Sequence, residues 1–553
     1  MSANDILAAA PALCASGAAA EPAPVNAYDA VPYSVGAFPQ THPDRLATIA
    51  TLFGLAPVPP NRCRVLELGC ASAGNLIPMA CALPESTFVG IDLSRRQIEI
   101  GQAAVRELGL SNLDLQTRSI LEIDADFGQF DYILVHGVYS WVPPEVQDQI
   151  LTICSRNLSP QGIAYVSYNT YPGWHARGAI REMIWYHCER FADPADRVRE
   201  ARGLLAFLVK SVPDQDAAGF GALIRRELAI LQMTPDCYLL HEHLEECNEP
   251  LYFHQFAGRA AAKGLQYLAE AQISAMIPGR FGPETDKTLR AISPDLLHME
   301  QYMDFLRNRM FRQTLLCHGG QKPDYALRPD AVMQFHIGSG AKAVSGHPDF
   351  SSSEPEQFRG PGDATLTTRD PLMKAAMLHL AQRRPLSTSF QSLVAAAQEM
   401  LAPSRGPSAD DSRQLATRLL NCYTTNLVEF SLFPPSFVAH VSARPLASPY
   451  ARLRAREELK VTNLRLETVA LTPPSRLVLS HLDGEHDRDS LVERLTQWMT
   501  SATPADSLQL PAGQASASAS GTSAPCADLP ETRAAAYVDQ LLQAFAHSAL
   551  LIA

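Results

Sequence analysis

The sequence predicts an α/β protein: a doubly wound parallel sheet in the N-terminal third, then a helical middle region, then C-terminal helix-rich units. Three observations carry this. From about Tyr28 to Tyr171, short β-type runs alternate with helical stretches, the pattern of strand–helix–strand units in a parallel sheet. From about Gly173 to His318, the runs REMIWYHCERF, REARGLLAFLVKSV, FGALIRRELAILQ and MEQYMDFLRNRMFRQTLL place apolar residues at three- and four-residue spacing, as amphipathic helices do. From about Thr365 two short helix-rich units follow, separated by Pro-rich, β-prone sequence around Leu432–Leu471.

The chain of 553 residues is too long for one ordinary core. Composition divides it into a disordered tail over 1–25, an α/β domain over 26–175, a helical domain over 176–320, a linker-like stretch over 321–364 and a C-terminal region over 365–553. Within the last region the Ala/Ser-rich run 510–525 reads as a disordered loop. The N-terminus carries Asp5 and no basic segment ahead of its short apolar run, so it is not read as a secretory signal. No run of eighteen apolar residues is present to span a membrane. The 11 scattered cysteines contain no C-x-x-C pair, which argues against a zinc ribbon or a disulfide framework and for free thiols in a reducing cytoplasm. A net charge of −12 disfavours nonspecific nucleic-acid binding and suits a basic partner, such as a lysine-bearing protein.

The first strand is Arg64–Gly69, a short buried-type run that ends in glycine. The small-residue turn Cys70–Asn75 and the helical LIPMACAL follow. Such a turn lets a ligand approach the backbone, and the next helix offers free N–H groups. The second strand, Thr87–Ser94, ends in a carboxylate: Asp92 lies 18 residues after Gly74, placed to accept both hydroxyls of a ribose. Leu113–Thr117, Phe130–Gly137 and Ile163–Ser167 supply the third, fourth and fifth strands.

Gly69-x-Ala71-x-x-Gly74 only loosely matches a dinucleotide fingerprint. Ala71 puts a methyl where a pyrophosphate needs closest approach, and Glu67 is a carboxylate beside the turn. A carboxylate there repels phosphate and suits a cationic ligand. S-adenosylmethionine (SAM) has an ammonium, a sulfonium and no phosphate, and is the cofactor this turn predicts.

These motifs also carry a resemblance. ELGCASAGN, VGIDLS, FDYILVHGVYSWVP and LSPQGIAYVSYNTYPGW together resemble the Rossmann-like class I SAM-dependent methyltransferases. More narrowly, with YDxVPY at Tyr28–Tyr33, QTHP at Gln40–Pro43 and HEHLEECNEPLYFHQF at His241–Phe256, the sequence resembles class I enzymes followed by a methyltransferase regulatory domain. That group includes the rickettsial outer-membrane-protein lysine methyltransferases. The resemblance covers roughly Tyr28 to His318; Ala71 and Ala73 depart from the glycines usual in the turn.

The resemblance implies that Glu67 and Gly69 line the methionine end of SAM, with Cys70, Ala71 and Asn75 completing the turn. Asp92 and Leu93 would hold the ribose, Ser119 and Ile120 would flank the adenine, and His136 and Gly137 would sit at the methyl-transfer face. Two aromatic segments beyond the fourth and fifth strands are candidate walls for the acceptor. Tyr168, Tyr139 and Trp174 from these segments, with His136 at the end of the fourth strand as a candidate general base, are the candidate catalytic residues. Trp141 and Tyr171, with Tyr28 and Tyr33 from an N-terminal lid, are candidate substrate contacts.

His241-Glu242-His243 lacks the H-E-x-x-H spacing of a zinc helix and is read as a solvated helix start, so no metal site is expected. PPSRLVLSHLDGEHDRDSLVERL (Pro473–Leu495) reads as a winged-helix-like unit, and its second helix is not notably basic. A protein-docking or structural role is therefore expected, and not DNA binding. Three functions stay open on the residues: a protein-lysine methyltransferase, a small-molecule methyltransferase, and a SAM-binding sensor without turnover. A homodimer is also left open.

Overall fold

The computed structural model describes residues 36–212, 219–346, 348–349, 351–401, 409–501 and 530–553. The tail expected over 1–25, the loop expected over 510–525, and Tyr28 and Tyr33 lie outside these residues.

One seven-stranded sheet organises the N-terminal half. Its strands are β1 (Arg64–Leu68), β2 (Thr87–Asp92), β3 (Leu113–Thr117), β4 (Phe130–Val135), β5 (Leu158–Asn169), β6 (Leu265–Glu270) and β7 (Phe311–His318), in the order β3-β2-β1-β4-β5-β7-β6. The first five are parallel, and β7 pairs antiparallel with both β5 and β6. Val65, Leu66 and Leu68 of β1 and Ile133, Leu134 and Val135 of β4 are wholly buried, because helices cover both faces of the sheet. The helices Leu76–Ala82, Arg95–Glu107 and Pro144–Arg156 return the chain between strands, the second capped by Ser94, whose hydroxyl accepts from the Gln97 N–H. The strand order reverses between β1 and β4, which opens a crevice at their carboxyl ends.

The middle of the chain departs from the all-helical reading. Helices Gly173–Cys188, Pro194–Ser211, Phe220–Met233 and Asp236–His243 do form a unit with its own core of Ile180, Ile184, Leu205, Ile224, Leu231 and Leu239. Beyond them the chain re-enters the sheet. The run MEQYMDFLRNRMFRQTLL is not one helix: Leu296–Arg307 ends at Asn308, whose φ of +47° is a left-handed cap, and β7 begins three residues later. Residues 321–364 are not a linker either. Val332, Phe335, Ile337 and Phe358 join the largest core, the strand His336–Gly338 pairs with Glu429–Ser431, and Phe335 stacks on Phe430.

The C-terminal unit packs helices Pro449–Ala455, Pro473–Ser480, Arg488–Ser501 and Pro530–His547 around Leu479, Leu495, Val538 and Phe545, with a two-stranded ribbon of Lys460–Thr462 and Thr468–Ala470. Arg456 of this unit pairs with Glu107 of the α/β domain. No helix among the described residues is long and apolar enough to cross a membrane.

A buried ion cluster fixes the late strands. Arg312 on β7 reaches Asp304 through Nε at 2.8 Å, Glu270 on β6 through Nη1 at 2.6 Å and Glu300 through Nη2 at 3.0 Å. Arg309 adds a second contact to Glu270 at 2.6 Å, and the Arg312 guanidinium lies 3.8 Å from the Phe253 ring centroid. Burial pushes the Glu300 carboxyl up to about 7 against the pull of Arg312. Removing Arg312 would leave buried Glu300 without its cationic partner and Glu270 and Asp304 with Arg309 alone. Arg312→Ala is therefore expected to lose about 3–5 kcal/mol of stability in urea unfolding; a loss below about 1 kcal/mol, the size of an exposed pair, would show the cluster to be dispensable.

Candidate active site

The turn after β1 is held by the end of β2. The N–H groups of Gly69 and Cys70 donate to the Ile91 carbonyl at 2.9 and 3.0 Å. Asp92 accepts from the Ala71 N–H through Oδ2 and from the Ser94 N–H through Oδ1, both at 2.8 Å. Gly69 has φ +72°, and a Cβ there would stand 2.5 Å from Val138 Cγ2. The turn therefore needs glycine both for its left-handed backbone and for its contact with the loop after β4. Ala71 and Ala73 also adopt positive φ, at 48° and 58°. Non-glycine residues in this region are strained by roughly 1–2 kcal/mol each, and the Asp92–Ala71 bond is one of the contacts that hold the strained turn.

Over this turn lies a cleft of about 680 Å³. Ten of the expected cofactor residues fall into two groups on its wall. Glu67, Gly69, Cys70, Ala71, Asp92 and Leu93 come from the β1 and β2 ends, and Ser119, Ile120, His136 and Gly137 from the β3 and β4 ends. Asn75 sits behind that wall. It donates to Glu67 Oε1 at 2.8 Å and accepts from the Phe38 N–H at 3.0 Å. Glu67 Oε2 is buried and has no hydrogen-bond partner. Burial, with Asp92 nearby and against the Asn75 bond, pushes the Glu67 carboxyl up to about 8. A buried acceptor without a donor, beside a second carboxylate, is a site for a cationic ligand head. The Asp92 carboxylate lines the same cleft and accepts hydrogen bonds, as a hydroxyl-bearing ligand requires. The donor set therefore fits SAM and not a phosphate.

His136 bonds through Nδ1 to the Tyr165 hydroxyl at 2.9 Å, and its ring lies 3.9 Å from that of Phe38. Burial lowers its pKa to about 4, so it is neutral near pH 7 and poorly matched to taking a proton there.

The aromatic candidates divide. Trp141 and Trp174 line the cleft, their indoles edge-on at 6.2 Å. Tyr168 and Tyr139 do not reach it. β5 runs on to Asn169, so the two-residue alternation of the strand aims Asn169 into the cleft and sends Tyr168 to the opposite face. There Tyr168 stacks on Phe256 at 4.1 Å and bonds Thr314 through its hydroxyl. Tyr139 meets Phe256 edge-on at 5.3 Å in the same core. Both rings are core residues, which corrects their assignment to catalysis. Tyr171 also stays outside the cleft, stacked on His175 at 3.9 Å.

The far wall comes from the helical unit. Arg177, Tyr238, His241 and Glu242 line the cleft, with Met310 and Phe311 beside them. His241 and His243 are buried, which corrects the reading of this segment as a solvated helix start. Among the described residues no group of three His, Cys, Asp or Glu is arranged to hold a metal. Of the wall residues that the sequence reading missed, Arg118 adjoins the expected Ser119, and Asn169 lies inside the quoted YNTYPGW run. His241 and Glu242 open the HEHLEECNEPLYFHQF run, whereas Arg177 and Tyr238 have no local signal, since only packing brings them to the sheet edge.

Comparisons with known proteins agree with this architecture. Three family models match: a methyltransferase domain at residues 65–162, a predicted methyltransferase regulatory domain at 235–318, and a PKMT C-terminal winged helix domain at 443–550. An uncharacterized protein of Rickettsia prowazekii (strain Madrid E) is 36% identical over 481 residues, 85% of each chain. A second uncharacterized protein of that organism is 42% identical over 241 residues, 44% of this chain and 96% of its own. The structure of PKMT2 from Rickettsia typhi superposes with a TM-score of 0.82 at 30% identity, covering 94% of this chain and all of the other, and PKMT2 has also been solved in complex with AdoHcy. The chain belongs to the SAM-dependent methyltransferases of the rickettsial PKMT type, with a methyltransferase domain, a regulatory domain and a PKMT winged helix domain.

Proposed function

We propose that this methyltransferase acts on lysine side chains of a protein. The observation that carries the reading is the composition of the cleft lining. Two indoles, a tyrosine and the Glu242 carboxylate share one cleft with the cofactor residues, and aromatic faces with a carboxylate favour an alkylammonium. The relatives' PKMT designation and the resemblance to rickettsial lysine methyltransferases support it.

Bound SAM supplies a methyl group on a cationic sulfur, open to in-line attack. The chain's own residues bind and orient. We assign Glu67, over the turn of Gly69, Cys70 and Ala71, to the amino end; Asp92 and Leu93 to the ribose; and Ser119 and Ile120 to the adenine. Asn75 positions Glu67. His136 and Gly137 face the transfer region, where the neutral imidazole positions and does not take the proton. Trp141 and Trp174 exclude water from the acceptor path. The winged-helix unit is assigned to protein contact. The cytoplasm is its proposed compartment.

The Glu67 assignment has a pH signature. In the free protein its carboxyl is raised from 4.5 to about 8, so the folded state holds a proton that the unfolded state lacks between those values. The stability this confers is full below about pH 4.5 and is lost as pH rises through about 8. A cationic ligand needs the carboxylate, so binding near neutrality must expel that proton. SAM affinity is expected to rise with pH from about 5.5 to 7.5, approaching tenfold per unit. Calorimetry in buffers of different ionisation enthalpy should show proton release, and Glu67→Gln should abolish both effects. A pH-independent affinity over that range would refute the assignment.

The function is tested with methyl-labelled SAM, a bacterial lysate and an Asp92→Ala control. The account predicts label in protein that is lost in the control and that mass spectrometry places on lysine. Label in small molecules alone would sink the proposal in favour of a small-molecule acceptor, and SAM binding without any labelling would sink it in favour of a sensor.

A further inference from the structure

The two arginines of the helical wall are bonded to groups other than Glu242. Arg177 Nε holds Glu227 Oε1 at 2.9 Å, and the same oxygen lies 3.3 Å from His243 Nε2. Arg181 donates to the carbonyls of Glu245 and Glu246. Glu242, on the helix Asp236–His243, faces both arginines but has neither as a partner of its own. It lines the cleft, and Tyr238, one helical turn earlier, lines it too. Trp174 connects this wall to the sheet edge: its ring lies 5.2 Å from the Arg177 guanidinium and edge-on to Trp141. A half-buried carboxylate to which neither nearby arginine is bonded, beside aromatic faces in a reactive cleft, can receive a cation.

We propose that Glu242 receives the ammonium of the acceptor lysine and takes its proton, so that the helical unit supplies the acid–base group of the reaction. The assignment rests on the lysine reading above. An ammonium N–H proton passes to a Glu242 oxygen, and the freed nitrogen lone pair forms the new N–C bond. The C–S electron pair stays on sulfur as a neutral thioether. The product departs as a methylated ammonium, and Glu242 releases the proton to solvent. One ammonium and one sulfonium thus become one methylammonium, one thioether and one proton.

The electrostatics suit this role. Burial pushes the Glu242 carboxyl up to about 7 against Arg177, with Glu227 adding to the rise and Arg181 and His241 opposing it. Of the other titratable groups that face this wall, the Tyr238 hydroxyl is pushed up by burial and by Glu242, and His243 is lowered by burial. A base that titrates near the working pH is effective there.

The test uses the full chain with S-adenosylhomocysteine bound, n-butylammonium as the lysine mimic and tryptophan fluorescence as the signal. Wild-type binding is expected to strengthen from pH 6 to 8, and Glu242→Gln to bind about tenfold more weakly with no such rise. In the lysate assay Glu242→Gln is expected to transfer methyl at least about 100-fold more slowly, with SAM affinity unchanged and the melting temperature no lower than that of the wild type. Glu242→Asp, which keeps the charge, should restore part of the binding. Lysine labelling by the wild type with no loss in Glu242→Gln overturns this assignment and spares the lysine reading; no lysine labelling by the wild type overturns both.

Discussion

The cleft depends on burying one guanidinium among three carboxylates. Arg312 joins β6, β7 and the helix Leu296–Arg307 at their crossing, and the segment just before it is thereby fixed. That segment carries Met310 and Phe311 into the cleft. It also receives Gly173, whose N–H donates to the Arg309 carbonyl at 2.9 Å and where a Cβ would stand 2.3 Å from the Asn308 carbonyl oxygen. Gly173 opens the helix that bears Trp174 and Arg177. The far wall is thus set against the sheet by backbone contact at close range, and that contact is held in place from beneath by the ion cluster. A buried network of this kind adds little net stability over apolar packing, but its hydrogen bonds accept only one geometry.

Two desolvated carboxyl groups line the cleft, one from the sheet and one from the helical unit. At the sheet edge, Glu67 is raised by burial and Oε2 lacks a donor. At the helical wall, Glu242 is raised by burial beside arginines engaged elsewhere. Each is held partly protonated near neutrality and turns anionic when a cation arrives. A methyl transfer from one cationic ligand to another cationic side chain needs such a distribution, because two positive charges must approach each other before one proton leaves. The strain at Ala71 and Ala73 belongs to the same design: the turn beneath the cofactor is kept in shape by Asp92, which ties cofactor geometry to β2.

Much of the cofactor half was legible in the sequence because its signals are local. A strand, a small-residue turn and a carboxylate at the next strand end are read within thirty residues, and six cofactor candidates from that stretch line the cleft; the four beyond it, Ser119, Ile120, His136 and Gly137, rest on the family resemblance. The acceptor half was not legible in the same way. Tyr168 and Tyr139 lie past strands and so read as near the chemistry, but a two-residue extension of β5 turns Tyr168 to the opposite face, and Tyr139, in the turn after β4, packs on Phe256 in the core. His241 and Glu242 read as solvated because a helix start rich in charge has that composition; their burial comes from the packing of their helix into the core of the helical unit. β7 read as a continuation of a helix, since a buried strand has no period of its own and the stop lies in the backbone of Asn308.

The most direct measurement is a crystal structure of the protein with S-adenosylhomocysteine bound. The account predicts the amino group on Glu67, the ribose hydroxyls on Asp92, and the sulfur directed toward Trp141, Trp174 and Glu242. A ligand bound in the reverse sense, with its nucleoside on Glu67, or bound outside this cleft would contradict it.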